Sequence, residues 1–436
     1  MRRWILGLLA GGLFLAGMLL LAGCGGTKPQ ETEVVPVTPP PQETEVVPVM
    51  PPPSETEPLE KEQQSAFGAF ALRFAQEAVS QAQAEGTKNP LLSPVSAYTA
   101  MLMTACGSDG VSRDEFEELL GLPAEQWTES GSAWMRFLNQ TAEGLAVRSA
   151  NSVWVDEETE VRETYLDQVS KELYAEVFHA RLSSQETMDK VNAWVSERTN
   201  GMIPAFRTEP YEEEVRLAIL NALYLEASWA EPFKAQLTQE ETFHAPDGDV
   251  RTLFLRDYMG NRDYVRDAGT EGILLPYQNS SLAFLALRAT DGRTPQELLA
   301  DLSFEKLQAL VDSAERTLMD FSMPKLAVEY RQDLREVFWE LGLRRTMTFG
   351  EADLSLMGSG RDGAPLFIGD VQQAVKLQVD EEGTKAAAVT EVAPEDGAAC
   401  MEDPLVLCLD SPYLYFVLDT ESGAPLFVGV AEQPAR

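Results

Sequence analysis

The order in which the hydrophobic period changes along this chain limits its fold more tightly than any other feature. Phe67, Phe70, Leu72, Phe74, Ala78 and Val79 recur at near-helical spacing, and Ser93-Pro94-Val95-Ser96 opens a second helix through Met101 to Ala105. Gln185 to Asn200, stopping before Gly201, and Asp333 to Leu343 also read as helices. Elsewhere the period shortens. Val147 to Val155, Leu217 to Leu225, Ser281 to Ala289 and Leu405 to Leu409 read as strands. So do Tyr413 to Leu418 and Pro425 to Val430, joined by the turn Asp419-Thr420-Glu421-Ser422-Gly423-Ala424. Helices lead, strands dominate later, and βα alternation is absent. That order predicts an α+β fold with largely antiparallel sheets. No second linker interrupts residues 63–436, so one large domain is expected there.

Charge and histidine content narrow the function. Acidic residues outnumber basic ones 70 to 34, a formal net charge of −36. Such a field repels phosphate backbones, so no nucleic-acid partner is expected. With two histidines in the chain, a His-rich metal site is excluded. Any Ser-His or Cys-His mechanism must use His179 or His244, and neither follows a nucleophile motif such as Gly-x-Ser-x-Gly. No metal-ligand spacing appears, and no cofactor or catalytic residue is expected. Besides Cys24, the cysteines are Cys106, Cys400 and Cys408. An odd trio argues for free thiols over a disulfide framework, although Cys400 and Cys408 could pair.

The first residues read as an export signal. Arg2 and Arg3 precede an apolar or glycine run from Trp4 to Leu21. Leu21-Ala22-Gly23-Cys24 resembles the bacterial lipoprotein cleavage box, in which the cysteine becomes lipidated and N-terminal. An uncleaved signal anchor is the other reading. Residues 1–23 are thus expected to be removed, and Cys24 to hold the protein on the extracellular face of a bacterial membrane, or to leave it there for later release. Residues 24–62 form a linker. Pro29-Gln30-Glu31-Thr32-Glu33-Val34-Val35-Pro36-Val37 recurs at Pro41 to Val49, with a truncated third copy at Pro53-Ser54-Glu55-Thr56-Glu57. Frequent proline and mutually repelling glutamates predict a stiff, extended stalk, with a proline-motif ligand as the alternative.

The domain 63–436 resembles the serpins. The segments that carry the likeness are Asn89-Pro-Leu-Leu-Ser-Pro-Val-Ser96, Asn151-Ser-Val-Trp-Val155, Val191-Asn-Ala-Trp-Val195 with Asn200-Gly-Met-Ile203, and Leu220-Asn-Ala-Leu-Tyr-Leu225 with Trp229. Phe243-His244, Met323-Pro-Lys325, Val379-Asp-Glu-Glu-Gly-Thr-Lys-Ala-Ala-Ala388 and Pro425-Leu-Phe-Val-Gly429 follow in family order. The resemblance implies three β-sheets, eight or nine helices and an exposed reactive loop near the C-terminus. It also implies a monomer that inhibits a serine protease once. The protease cleaves the loop and forms an acyl-enzyme, and the loop then enters the central sheet as a new strand. By the same resemblance Ser93, Ser96 and Asn221 match the polar cluster beneath that sheet. Gln373 stands where many serpins have histidine, where an amide can still bridge neighbouring strands. Trp229 matches the tryptophan where the loop first enters. Without the family, Ser93 reads as a helix cap and Trp229 as core.

The loop residues carry their own signal. Every second residue from Thr384 gives Thr384, Ala386, Ala388, Thr390 and Val392, all small and uncharged. The intervening Lys385, Ala387, Val389, Glu391 and Ala393 hold every charge. One face is therefore fit to be buried in a sheet. Gly383 supplies a flexible hinge before them. Pro394, on the inward set, argues the other way, because proline in a central strand loses a ladder bond. Counting from Gly383 along the family pattern puts the scissile bond near Gly397-Ala398, with Ala398-Ala399, Ala399-Cys400 and Met401-Glu402 as alternatives. Small residues there suit an extracellular elastase-like or subtilisin-like protease. No Arg or Lys is offered to a trypsin-like one between Glu395 and Asp403. A non-inhibitory serpin acting as a surface binding or carrier protein is the competing function, and a hydrolase the rival class.

Overall fold

Helix Lys61–Ala84 is long because Phe67, Phe70, Phe74, Ala78 and Ala82 fall three or four residues apart and are all buried on one face. The computed structural model describes residues 60–384 and 403–434, all within the unit Glu45–Arg436. Among them are nine α-helices and three sheets. Helix Pro94–Ala105 starts where expected. Ser93 accepts the Ser96 N–H, and Pro94 at the first position has no N–H to leave unpaired.

The largest sheet runs in the order Leu91–Leu92, Pro425–Ala431, Tyr413–Asp419, Leu282–Ala289, Thr270–Pro276, Gly248–Arg266, Glu315–Pro324, Leu405–Cys408. Gln239–Ala245 folds back onto Gly248–Arg266. Every residue of Pro425–Ala431 and Tyr413–Asp419 is buried, so the C-terminal hairpin is core on both faces. A second sheet runs Leu326–Asp333, Gln372–Val379, Gly383–Thr384, Leu217–Ser228, Leu145–Asp156, Gln140–Ala142, with Ala175–Ala180 beside Leu145–Asp156. A short pair, Glu160–Val161 with Gly358–Ser359, is the third. The pairing is antiparallel apart from two parallel ladders, at Leu405–Cys408 and Ala175–Ala180.

Two helix boundaries differ from the periodicity. The first ends at Arg198 rather than Asn200, because Asn200 and Gly201 both take positive φ. The second spans only Arg335–Glu340. Asp333 instead ends a strand opposite Gln372, and its carboxylate accepts the Arg335 N–H at 3.0 Å. The apolar run in 333–343 was read as one helix because a strand end and a helix start share it.

Helix Gln185–Arg198 packs against the second sheet. Alternation along Leu217–Ser228 sends Ala218, Leu220, Ala222 and Tyr224 into the cluster with Val191, Trp194 and Val195. Ile219, Leu223, Leu225 and Ala227 face the main core. The helix is also anchored at the Ala175–Ala180 strand, where Glu176 accepts from Trp194 Nε1 at 3.0 Å and from Arg198 Nη2 at 2.6 Å. Glu176→Ala should therefore strip partners from a buried indole N–H. An unfolding free energy lower by about 1–3 kcal/mol is expected in urea titration, with unchanged secondary structure by circular dichroism.

Candidate functional site

The second sheet is split along its middle. Leu217–Ser228 pairs with Leu145–Asp156 from Leu145↔Ala227 to Val155↔Leu217. Gln372–Val379 pairs with Leu326–Asp333 from end to end. The facing edges of Leu217–Ser228 and Gln372–Val379 share no ladder. Among the described residues, only Gly383–Thr384 lies between them, with Thr384 opposite both Ala227 and Val379 and Gly383 opposite Ser228. The remainder of the gap contributes to a cavity of about 740 Å³, which Ser93, Ser96, Asn221 and Gln373 help to line. Backbone groups facing a gap inside a sheet lack the partners a strand would bring.

The hinge strand is seated tightly. Gly383 has φ +156°, and a Cβ there would lie 2.1 Å from the Ala227 carbonyl oxygen. Glycine is thus required for close approach, rather than for the flexibility expected from its sequence position. Thr384 is fully buried and its hydroxyl bonds the Tyr277 hydroxyl. Tyr277 stacks on Trp229, ring centroids 4.7 Å and planes 6° apart. Trp229 in turn donates from Nε1 to the Asp380 carbonyl and from its backbone N–H to the Glu382 carbonyl, each at 2.9 Å.

A charged pair closes the turn before the hinge. Glu381 accepts from Lys325 at 2.6 Å and from the Thr238 hydroxyl at 2.7 Å. Burial pushes the Glu381 carboxyl up, but Lys325 and Thr238 outweigh it and hold it below the usual range. Glu382 is raised, by burial first and then by the charges of Asp380 and Glu381.

The predicted polar cluster exists as two halves. Gln373 accepts the Ser93 N–H at Oε1 and donates from Nε2 to the Ser93 carbonyl, both at 2.9 Å. It therefore clamps its strand to a helix start, rather than bridging neighbouring strands as the sequence suggested. Ser93 and Ser96 stand together, their hydroxyls 3.0 Å apart. Across the gap, Asn221 donates to Ser149 Oγ and Asn151 Oδ1, both at 2.8 Å, while its own Oδ1 is buried with no partner among the described residues. Ser149, Asn151 and Tyr277 were not singled out from the sequence. Ser149 and Asn151 fall two apart on one face of Leu145–Asp156, among the apolar Leu145, Val147, Val153 and Val155, which marks them in hindsight, whereas nothing local marks Tyr277.

Lys385, Ala386, Ala387 and Ala388 lie outside the described residues, as do Gly397, Ala398, Ala399, Cys400 and Met401, and Cys24 with the whole export and stalk region. His179 and His244 sit on different sheets, at Ala175–Ala180 and Gln239–Ala245, and His244 bonds Asp249 at 2.9 Å. Among the described residues, Cys106 and Cys408 are free thiols. Burial pushes Cys106 up to about 12 and also raises Cys408, so neither is poised as a nucleophile.

The family model for serpins (serine protease inhibitors) matches residues 65–434. The chain belongs to the serpin family, whose members are generally protease inhibitors rather than enzymes. It is similar to an uncharacterized serpin-like protein of Thermococcus kodakarensis, 30% identical over 80% of this chain and 82% of that protein. Human serpin B9 is 27% identical over 85% of this chain and 99% of its own length. Among solved structures, the thermophilic serpin tengpin in its native state superposes with a TM-score of 0.79, covering 87% of this chain and 96% of tengpin at 24% identity.

Glu381→Gln should loosen the hinge. The carboxyl has a lower pKa folded than unfolded, so its contribution is complete above the unfolded value near ~4.3 and is lost as pH falls through the folded value. At neutral pH the variant should unfold about 1 kcal/mol more easily. Thermal scans of both proteins should converge as pH falls from the unfolded value through the folded one. A gap that stayed constant into acid would deny the charge a role.

Proposed function

We propose that this protein is an inhibitory serpin tethered outside a bacterial cell through lipidated Cys24, acting on elastase-like or subtilisin-like serine proteases. The observation that carries the reading is the register of the hinge. Continued past Thr384, the pairing Thr384↔Ala227 and Thr384↔Val379 brings Ala386 opposite Leu225 and Ala388 opposite Leu223. Thr390 comes between Asn221 and Gln373, and Val392 opposite Ile219. The partners on this side belong to the core-facing half of Leu217–Ser228. The small, uncharged set of the loop would thus enter the core, and Lys385 and Glu391 would stay on the other face.

The register also bears on Pro394. It falls opposite Leu217, the first residue of its strand, so at most a terminal ladder bond is lost. Thr390 would arrive beside the unpartnered Asn221 Oδ1 with a hydroxyl able to donate. Gly397-Ala398 would then come just beyond the inserted stretch, and an attached protease would be carried to the far end of the sheet.

The chemistry belongs to the protease. Its serine attacks the loop carbonyl, the amide breaks, the new amine departs with the C-terminal segment, and the acyl ester remains. Water would complete hydrolysis. Insertion competes with that step by filling the gap and displacing the protease before deacylation. A strand with both ladders made is lower in free energy than an open slot, so the inhibitor needs no cofactor.

Mixed with pancreatic elastase or subtilisin, the protein should give a boiling-resistant adduct of summed mass on denaturing gels. The released peptide's N-terminus would identify the scissile bond. Ala388→Arg should abolish the adduct while loop cleavage continues, because insertion would bury a charge without a partner. Cleavage of the native sequence with no adduct and no gain in heat resistance would favour the carrier reading instead.

A further inference from the structure

The segment 199–216 joins helix Gln185–Arg198 to strand Leu217–Ser228, and it is bonded to elements on both sides of the slot. On one side Asn192 holds Arg207 by both backbone groups, donating to its carbonyl at 2.9 Å and accepting its N–H at 2.7 Å. The Arg207 side chain reaches the other way. Its Nη1 donates to Asp370 Oδ2 at 2.7 Å, just before strand Gln372–Val379, and its guanidinium lies 3.8 Å from the Tyr211 ring centroid. The two charged side chains are 10% and 21% exposed. Arg331, from strand Leu326–Asp333, donates to the carbonyls of Ala205 and Phe206. Phe206 packs on the cluster that includes Leu220 and Ala222, as does Ala374 of the opposite strand. Phe206, Arg207, Tyr211 and Asp370 all line the slot cavity.

We propose that the Arg207–Asp370 pair is a latch across the slot, and that its release sets how fast a strand can enter. The inference rests on the inhibitory reading above and adds its kinetic control. A strand filling the slot presents alternate side chains to the face that 199–216 covers, so Phe206 and Tyr211 must give way. Asn192 and the Arg207 backbone belong to one half of the sheet and Asp370 to the other. The ion pair, with the bonds from Arg331 to Ala205 and Phe206, is among the side-chain links that must break when the cover lifts. Being partly buried, it is stronger than an exposed pair and slower to part. Deacylation competes with insertion, so the latch divides encounters between trapped protease and cut inhibitor. Arg207 and Asp370 are positioning residues, since neither touches the protease.

Asp370→Asn in the full-length chain keeps the shape and removes the charge. Arg335 keeps its own partner, Asp333, at 2.6 Å. With subtilisin in excess of wild-type adduct formation, the variant should trap about threefold to tenfold faster and consume fewer inhibitor molecules per protease. Asp370→Glu should return both values toward wild type. A second readout avoids any need for inhibition: uptake of a synthetic peptide of residues 385–394, followed by native gel. Uptake should accelerate by a similar factor in Asp370→Asn. Unchanged uptake would overturn the latch even if adducts form. Faster uptake with no adduct in either protein would keep the latch and remove the inhibitory reading. A general loss of folding would instead lower the heat resistance of the loop-cleaved form as well, and that result also overturns the latch.

Discussion

Everything in this molecule turns on two strand edges that face each other without pairing. Among the described residues, Leu217–Ser228 and Gln372–Val379 are each laddered on one side and open on the other, except where Gly383 and Thr384 stand between them. Edges of this kind usually lie at a sheet's periphery, where water satisfies them. Here they lie in the middle, flanked by a hydrophobic core. The fold therefore stores an unmade set of interactions, and the residues around the slot decide when they are made.

Three groups of contacts hold that state. Trp229, Tyr277, Thr384 and the Lys325–Glu381 pair seat the hinge at one end. Gln373 ties its strand to Ser93, while Asn221 is turned toward Ser149 and Asn151, so the polar groups that would meet across a closed sheet are each engaged on their own side. Arg207 and Asp370 span the covering segment. Each contact is local and modest. Together they hold the two edges apart, each through its own short-range bonds.

Much of this was readable residue by residue. Ser93 as a cap, the core face of helix Lys61–Ala84 and the C-terminal hairpin all follow from spacing. The helix expected at 333–343 was shortened because Asp333 pairs with Gln372, a partner that local periodicity does not register. The expected role of Gln373 missed its true partner for the same reason, since Ser93 lies far away along the chain. Gly383 was read for freedom, yet its requirement comes from the Ala227 carbonyl pressed against it.

The sequence by itself determined the α+β class, the family, the strongly acidic surface and the period-two pattern that suits the loop to a sheet. Those depend on composition and on near neighbours, which any reader of the chain can count. Tertiary structure alone decided that the slot is open, that Asn221 Oδ1 waits there unpartnered among the described residues, and that Arg207 reaches Asp370 across it. An open edge is a relation between strands distant in sequence, and it exists only once both have been laid beside a space that neither fills.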